Sequence, residues 1–224
     1  MRLQRYLSLL LGLVLVAPAP LLVGQGGAGQ SSFAVDQSYQ RAREVVEAGK
    51  NALGPDLDDI TIQVHGKFYA RQQSPRPDES EGLPLTGQLI LDTKRNAILW
   101  DVDLDFPGGF QVRQVARMKG DQGTVGSRLT KTMQPLPNPA ALREALTMHV
   151  PQLLVGMALQ RANTLRWLGE AEFNGRKQNA VSFATATGTQ IALYFDARTN
   201  MLTKYETLIA DPYLGDAVNE YVPT

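Results

Sequence analysis

The chain of 224 residues has two histidines, His65 and His149, and no cysteine. A nucleophilic triad needs a histidine base beside an activated serine or cysteine, and neither histidine lies in a G-x-S-x-G or cysteine context. Zinc needs several His or Cys ligands at short spacing, which this sequence cannot assemble. No phosphate-cradling glycine loop precedes a helix. The remaining chemistry-bearing pattern is Asp101-x-Asp103-x-Asp105, whose hard oxygens are of the kind that bind calcium. On a strand, however, these side chains are strung along one face about 7 Å apart, and the glycine and terminal glutamate of an EF-hand loop are absent. The expectation is instead a row of cross-strand ion pairs, with Arg113, Arg117 and Lys119 of the next strand as partners. The sequence thus predicts no catalytic residue, no metal and no cofactor.

The elements that carry these residues follow from periodicity and turn chemistry. Asp36 to Leu53 has apolar residues spaced for one helical face and ends at Gly54-Pro55. From Asp59 to Phe68 apolar and polar residues alternate, which predicts a strand with His65 on its wet face. Gln72 to Leu85 has three prolines and no periodicity, as in an exposed connection. Thr86–Trp100 and Thr187–Leu208 share one grammar: a glycine near the start, an apolar strand, Asp-x-x-x-Asn, and a returning strand. Asp and Asn bond nearby backbone and tolerate the left-handed conformation, so both stretches predict hairpins. The strand bearing the aspartates continues to Phe106, turns at Pro107-Gly-Gly109 and returns through Phe110–Met118. Asn138-Pro139 is a helix start, and Pro151 divides that helix from a second, Gln152 to about Gln160, which is apolar around most of its circumference. His149, just before the break, reads as a helix-end residue. Asn174-Gly175 closes a two-residue hairpin between Thr164–Phe173 and Gln178–Ala186.

At the amino terminus Arg2 and Arg5 precede an uncharged run from Tyr6 to Val23, the charge order of an export signal. Pro18 and Pro20 interrupt the run and small residues follow it, which favours a cleaved signal over a retained anchor, with cleavage between Gly24 and Gln30. Residues 1–29 are assigned to the signal and 30–224 to a single β-rich domain. The latter length suffices for one core without disulfide staples. Charge is balanced, with 22 basic and 22 acidic residues, so nothing in it favours nucleic acid or an anionic membrane as partner. A periplasmic or secreted protein without a stable membrane anchor is expected.

Gly175–Phe183, Gly188–Asp196, Thr199–Glu206 and Asp211-Pro-Tyr-Leu-Gly-Asp216 together resemble the amino-terminal region of exported metallo-beta-lactamase-fold hydrolases. In that family a β-rich domain similar to the outer-membrane lipoprotein carriers (LolA and LolB) precedes the zinc hydrolase domain. The resemblance implies a half-barrel: an α+β fold in which one curled antiparallel sheet folds over the helices between Asn138 and Gln160. The hydrolase's H-x-H-x-D-H stretch has no counterpart here, so no metal-site residue carries over, and the domain reads as truncated at its C-terminal end. Two functions follow as expectations. One is a non-catalytic binding or scaffold module for an apolar, lipid-like ligand or a partner domain, with Trp100, Leu104, Leu154, Met157, Trp167 and Phe195 as candidate lining. The other is the remnant of a periplasmic zinc hydrolase.

Overall fold

The computed structural model describes residues 31–68, 82–106, 108–211 and 215–223. The expected export signal and most of the loop expected over Gln72–Leu85 lie outside the described residues. In chain order the elements begin with α1 (Ser31–Leu53), β1 (Asp59–Phe68), β2 (Leu83–Asp92), β3 (Ala97–Asp105), β4 (Gln111–Lys119), β5 (Gln122–Ser127) and β6 (Thr132–Pro135). Two helices follow, α2 (Pro139–Thr147) and α3 (Pro151–Gln160), and then a 3-10 turn (Ala162–Thr164). The chain then runs through β7 (Arg166–Phe173), β8 (Arg176–Ala184), β9 (Gln190–Asp196), β10 (Leu202–Asp211) and β11 (Gly215–Tyr221).

The fold is α+β with antiparallel strands joined in sequence, as expected, but the strands form two hydrogen-bonded sheets rather than one. One sheet has the order β1-β2-β3-β4-β5-β6 and the other β11-β10-β9-β8-β7. The meander is interrupted at β6, a four-residue strand ending in Pro135, which lacks an N–H to continue a ladder. Leu136-Pro-Asn-Pro139 then turns the chain into α2, with Asn138 Oδ1 accepting the N–H of Ala141 at 3.1 Å. The chain divides into two compact units, Met1–Asp56 with Thr147–Thr224, and Leu57–Leu146.

Several boundaries differ from expectation. The first helix starts at Ser31 rather than Asp36, since nothing between them breaks a helix. Leu83-Pro-Leu85 belongs to β2 and not to the connection before it. Pro84 is tolerated because it pairs with β1 at Lys67, while pairing to β3 begins only at Leu85. The turn chemistry is as read. Asn96, Asn174 and Asn200 all have positive φ, and Gly175 follows Asn174 at φ 71° to close the β7–β8 hairpin. Asp92 Oδ1 accepts the N–H of Arg95 at 2.8 Å. Asp196 Oδ1 likewise accepts the N–H groups of Arg198 and Thr199 at 2.9 and 2.8 Å, so the two Asp-x-x-x-Asn hairpins share one mechanism.

In the unit that contains both termini, one face of the five-stranded sheet carries Val181, Phe183, Ile191, Leu193, Phe195, Leu202 and Tyr205, all buried. Ala42, Val45 and Val46 of α1 and Leu154, Val155 and Ala158 of α3 join them in one core cluster. Period-two alternation on the strands and helical spacing on α1 place these residues on facing surfaces. Phe195 has no exposed area, a burial that contributes about 1.5–3 kcal/mol. Its ring lies against Gly49 of α1, and a β-carbon there would fall inside van der Waals contact with the ring edge. Glycine in a helix normally costs about 0.5–1 kcal/mol relative to alanine, so Gly49 is retained for the close approach. Gly49→Ala is therefore expected to reverse the usual sign and destabilise the protein by about 1–3 kcal/mol, read as a lower urea midpoint. A raised midpoint would show that the ring moves aside freely.

Candidate ligand-binding surfaces

In the Leu57–Leu146 unit, alternation on β1 to β5 builds one apolar face. Trp100 stands at its centre, opposite Leu89 on β2 and Ala116 on β4. Leu104 lies two pairs further along, opposite Leu85 and Val112. Leu89, Ala116 and Leu104 are buried, whereas Trp100, Ile62, Val64, Leu85 and Val112 each keep part of their surface exposed. Gly87 allows β2 to lie close over β3, because a β-carbon there would run into the backbone of Asp101 and Val102.

The opposite face holds the three aspartates. Arg113 Nη2 contacts Asp105 Oδ1 at 2.6 Å, and its Nε lies 3.7 Å from Asp103 Oδ2. Arg128, beyond the end of β5, places Nε 2.8 Å from Asp101 Oδ1 and also pairs with Asp103. The carboxylates are thus engaged by two guanidinium groups. Arg113 is a partner as expected, but Arg117 and Lys119 are not placed against the aspartates. The β3–β4 register sets them on the same face opposite Leu99 and Ala97, two and more residues too far along. Arg128 fills that role from a segment that the sequence reading did not place. Among the described residues no group of three or more His, Cys, Asp or Glu side chains could hold a metal ion.

The other four candidate residues meet around the core of the unit that contains both termini. Leu154 and Phe195 have no exposed area and belong to the cluster itself, while Met157 and Trp167 are partly buried against it. Trp167 is fixed at the margin: its backbone N–H donates to Ser38 Oγ at 3.0 Å, and the Arg41 guanidinium lies 5.4 Å from its ring centroid. Of the six candidates, these four share one core, and Trp100 and Leu104 share the apolar face of the other sheet.

Sequence reasoning missed an aromatic group at one end of the terminal-strand pair. Tyr205 of β10 is directly opposite Tyr221 of β11, and their rings stack at 4.6 Å between centroids. His149, in the turn between α2 and α3, meets Tyr221 edge-on at 5.6 Å and lies 3.3 Å through Nδ1 from the Tyr205 hydroxyl. Burial holds the Tyr205 hydroxyl above the ordinary tyrosine value. Although one side of His149 is exposed, the surrounding groups dehydrate its ring and hold its pKa below the ordinary 6.5. Nothing in local spacing signals this group, because the three residues meet only through strand register and the helix turn.

The folded chain therefore binds a proton at His149 less readily than the unfolded chain. The contribution to stability is full above the unfolded value near 6.5, and is lost as pH falls through and below it. Urea midpoints measured between about pH 8 and pH 5 are expected to decline more steeply in the wild type than in His149→Phe. Equal slopes would show that this imidazole titrates alike in both states.

No family model and no curated protein matches the chain. Among solved structures, it is similar to an uncharacterised conserved protein from Thermus thermophilus, at a TM-score of 0.37 and 11% identity, over 81% of this chain and 83% of that one. It is similar to a DUF1329 family protein from Desulfovibrio piger at a TM-score of 0.40 and 8% identity, over 77% and 72% of the two chains. A LolA superfamily protein from Nitrosomonas europaea is similar at a TM-score of 0.40 and 12% identity, over 82% and 86%.

Proposed function

We propose that residues 30–224 form an exported, non-catalytic binding module, and that the apolar face around Trp100 takes a long-chain, lipid-like ligand. The observation that carries this reading is the incomplete burial of Trp100 together with Ile62, Val64 and Leu85 on one face of the six-stranded sheet. Large apolar side chains at the middle of a sheet face are ordinarily closed over, since each leaves tens of square ångströms in water at about 25 cal/mol per Å². Part-exposed apolar side chains on one sheet face are the kind of surface on which an acyl chain gains affinity, because covering them removes apolar area from water without desolvating a charge. Leu104 is buried between the part-exposed Leu85 and Val112 on the same face. Leu154 and Phe195 support the neighbouring unit as core, and Met157 and Trp167 border that core. The sequence resemblance to the carrier-like part of exported hydrolases agrees with a binding role, and the Arg-engaged aspartates offer no competing chemistry on the other face.

Trp100 and Trp167 are the protein's two tryptophans, so fluorescence separates the surfaces. In Trp167→Phe, emission from Trp100 is expected to be quenched saturably by a dibrominated long-chain fatty acid, with much weaker quenching of Trp167 in Trp100→Phe. Substituting Val64→Asp is expected to weaken the Trp100 signal at least tenfold in apparent affinity, as a buried unpaired carboxylate must be desolvated. Equal quenching of both tryptophans, or none, would sink the proposal. Zinc-dependent hydrolysis by the purified protein would sink it as well and would favour the hydrolase relationship.

A further inference from the structure

At one end of the five-stranded sheet the β7–β8 turn and the β9–β10 turn lie side by side. Between them is an open surface cavity of about 360 Å³, lined by Arg176, Lys177, Asp196, Ala197 and Arg198. We infer that this cavity is a binding site for a phosphate-bearing anion, held by Arg176 and Arg198.

Two guanidinium-bearing residues, Arg176 and Arg198, line it in a protein whose formal net charge is zero, while strand alternation directs the Lys177 side chain to the face opposite that of Arg176. The single carboxylate in the lining, Asp196, stays ionised and offsets part of this charge at Arg176, which leaves Arg198 uncompensated. Asp196 Oδ1 accepts the N–H groups of Arg198 and Thr199, and its Oδ2 lies 3.9 Å from Arg176 Nη1. These partners hold its pKa below the ordinary carboxylate value, the backbone bonds from Thr199 and Arg198 being the largest causes. Lys177 has only a loose contact with Glu170, at 3.8 Å between two exposed groups, which water screens almost entirely. Arg198 has no acidic partner among the described residues.

The frame is rigid before any ligand arrives. Ala197 N–H donates to the Lys177 carbonyl at 2.9 Å, tying one turn to the other, and Asn200 N–H closes the second turn on the Asp196 carbonyl at 2.8 Å. The β8–β9 register continues this tie, with Gln178 opposite Asp196. Cations placed on tied turns lose less freedom on binding than cations on a mobile loop. Two guanidinium groups can present paired N–H donors to phosphate oxygens. The volume admits a phosphate with a small substituent such as a sugar or glycerol. A lipid headgroup and a soluble phosphate ester share this chemistry.

The test is a titration of isotope-labelled protein with inorganic phosphate at low ionic strength, following backbone amides by NMR. Saturable shifts at Lys177, Ala197 and Arg198 are expected. Arg198→Gln, which removes no ion pair among the described residues, is expected to weaken the apparent affinity about tenfold or more, and Arg117→Gln on the other sheet to leave it unchanged. Sedimentation with vesicles of phosphatidic acid in phosphatidylcholine identifies the source. Retention that Arg198→Gln abolishes assigns the site to a headgroup, and saturation by free phosphate without vesicle retention assigns it to a soluble ester. Shifts that rise linearly, that chloride reproduces at matched ionic strength, or that persist unchanged in Arg198→Gln would overturn the inference.

Discussion

The close approach of Gly49 to the ring of Phe195 sets how α1 can lie on the five-stranded sheet. Phe195 is near the end of β9, the middle strand in the order β11-β10-β9-β8-β7, and it is fully buried. With no side chain at Gly49, the helix settles directly onto the ring, and Ala42, Val45 and Val46 reach the cluster shared with α3. A longer separation would leave voids that the short side chains of α1 cannot fill, and voids in a core forfeit dispersion contacts on both sides. The pairing of a glycine with a large ring is thus a matter of volume, and it fixes the depth of the layer above the sheet.

Polar groups in both units are mostly satisfied locally; among the described residues the buried Asp101 Oδ1, though close to the Arg128 guanidinium, makes no hydrogen bond. The aspartates of β3 are met by Arg113 and Arg128, and Arg143 of α2 donates to the Gly120 carbonyl at 2.6 Å, capping the β4–β5 turn. On the face of the five-stranded sheet opposite its apolar core, Lys204 links Glu206 and Glu220 at 2.8 and 3.0 Å, and Tyr194 donates to Glu206 at 2.7 Å. A site for acid–base catalysis keeps a titratable group poised and incompletely partnered. These clusters have the opposite character, and that is why the functional reading rests on apolar surface and on the few cations without close partners.

What could be read from the sequence was what depends on neighbours in the chain. Asn174-Gly175, the two Asp-x-x-x-Asn turns and the Asn138-Pro139 helix start are determined within a few residues, and they stand where turn and cap chemistry put them. β5, β6 and β11 were not legible. Their sequences, Gln122–Ser127, Thr132–Pro135 and Gly215–Tyr221, are short or mostly polar, and they are strands because a neighbour offers a ladder. The candidate lining shows the same limit. Alternation correctly set Trp100 and Leu104 on an apolar face and Phe195 on another, but periodicity names a face without naming the sheet. The sequence therefore grouped residues that belong to two separate units.

The setting of Lys204 has a consequence for covalent chemistry. Its ammonium lies 4.3 Å from the Tyr194 ring centroid and 5.1 Å from that of Phe173, between two glutamates, with 12% of its side chain exposed. Acylating reagents need a free, uncharged amine, and here the charged form is the one the surroundings favour and the approach is blocked. Lys177, 80% exposed, is open to approach. Mild acetylation of the native protein is thereby steered away from Lys204, which becomes reactive when β10 separates from β9 and β11. The extent of its labelling reports the opening of the sheet rather than the chemistry of the surface.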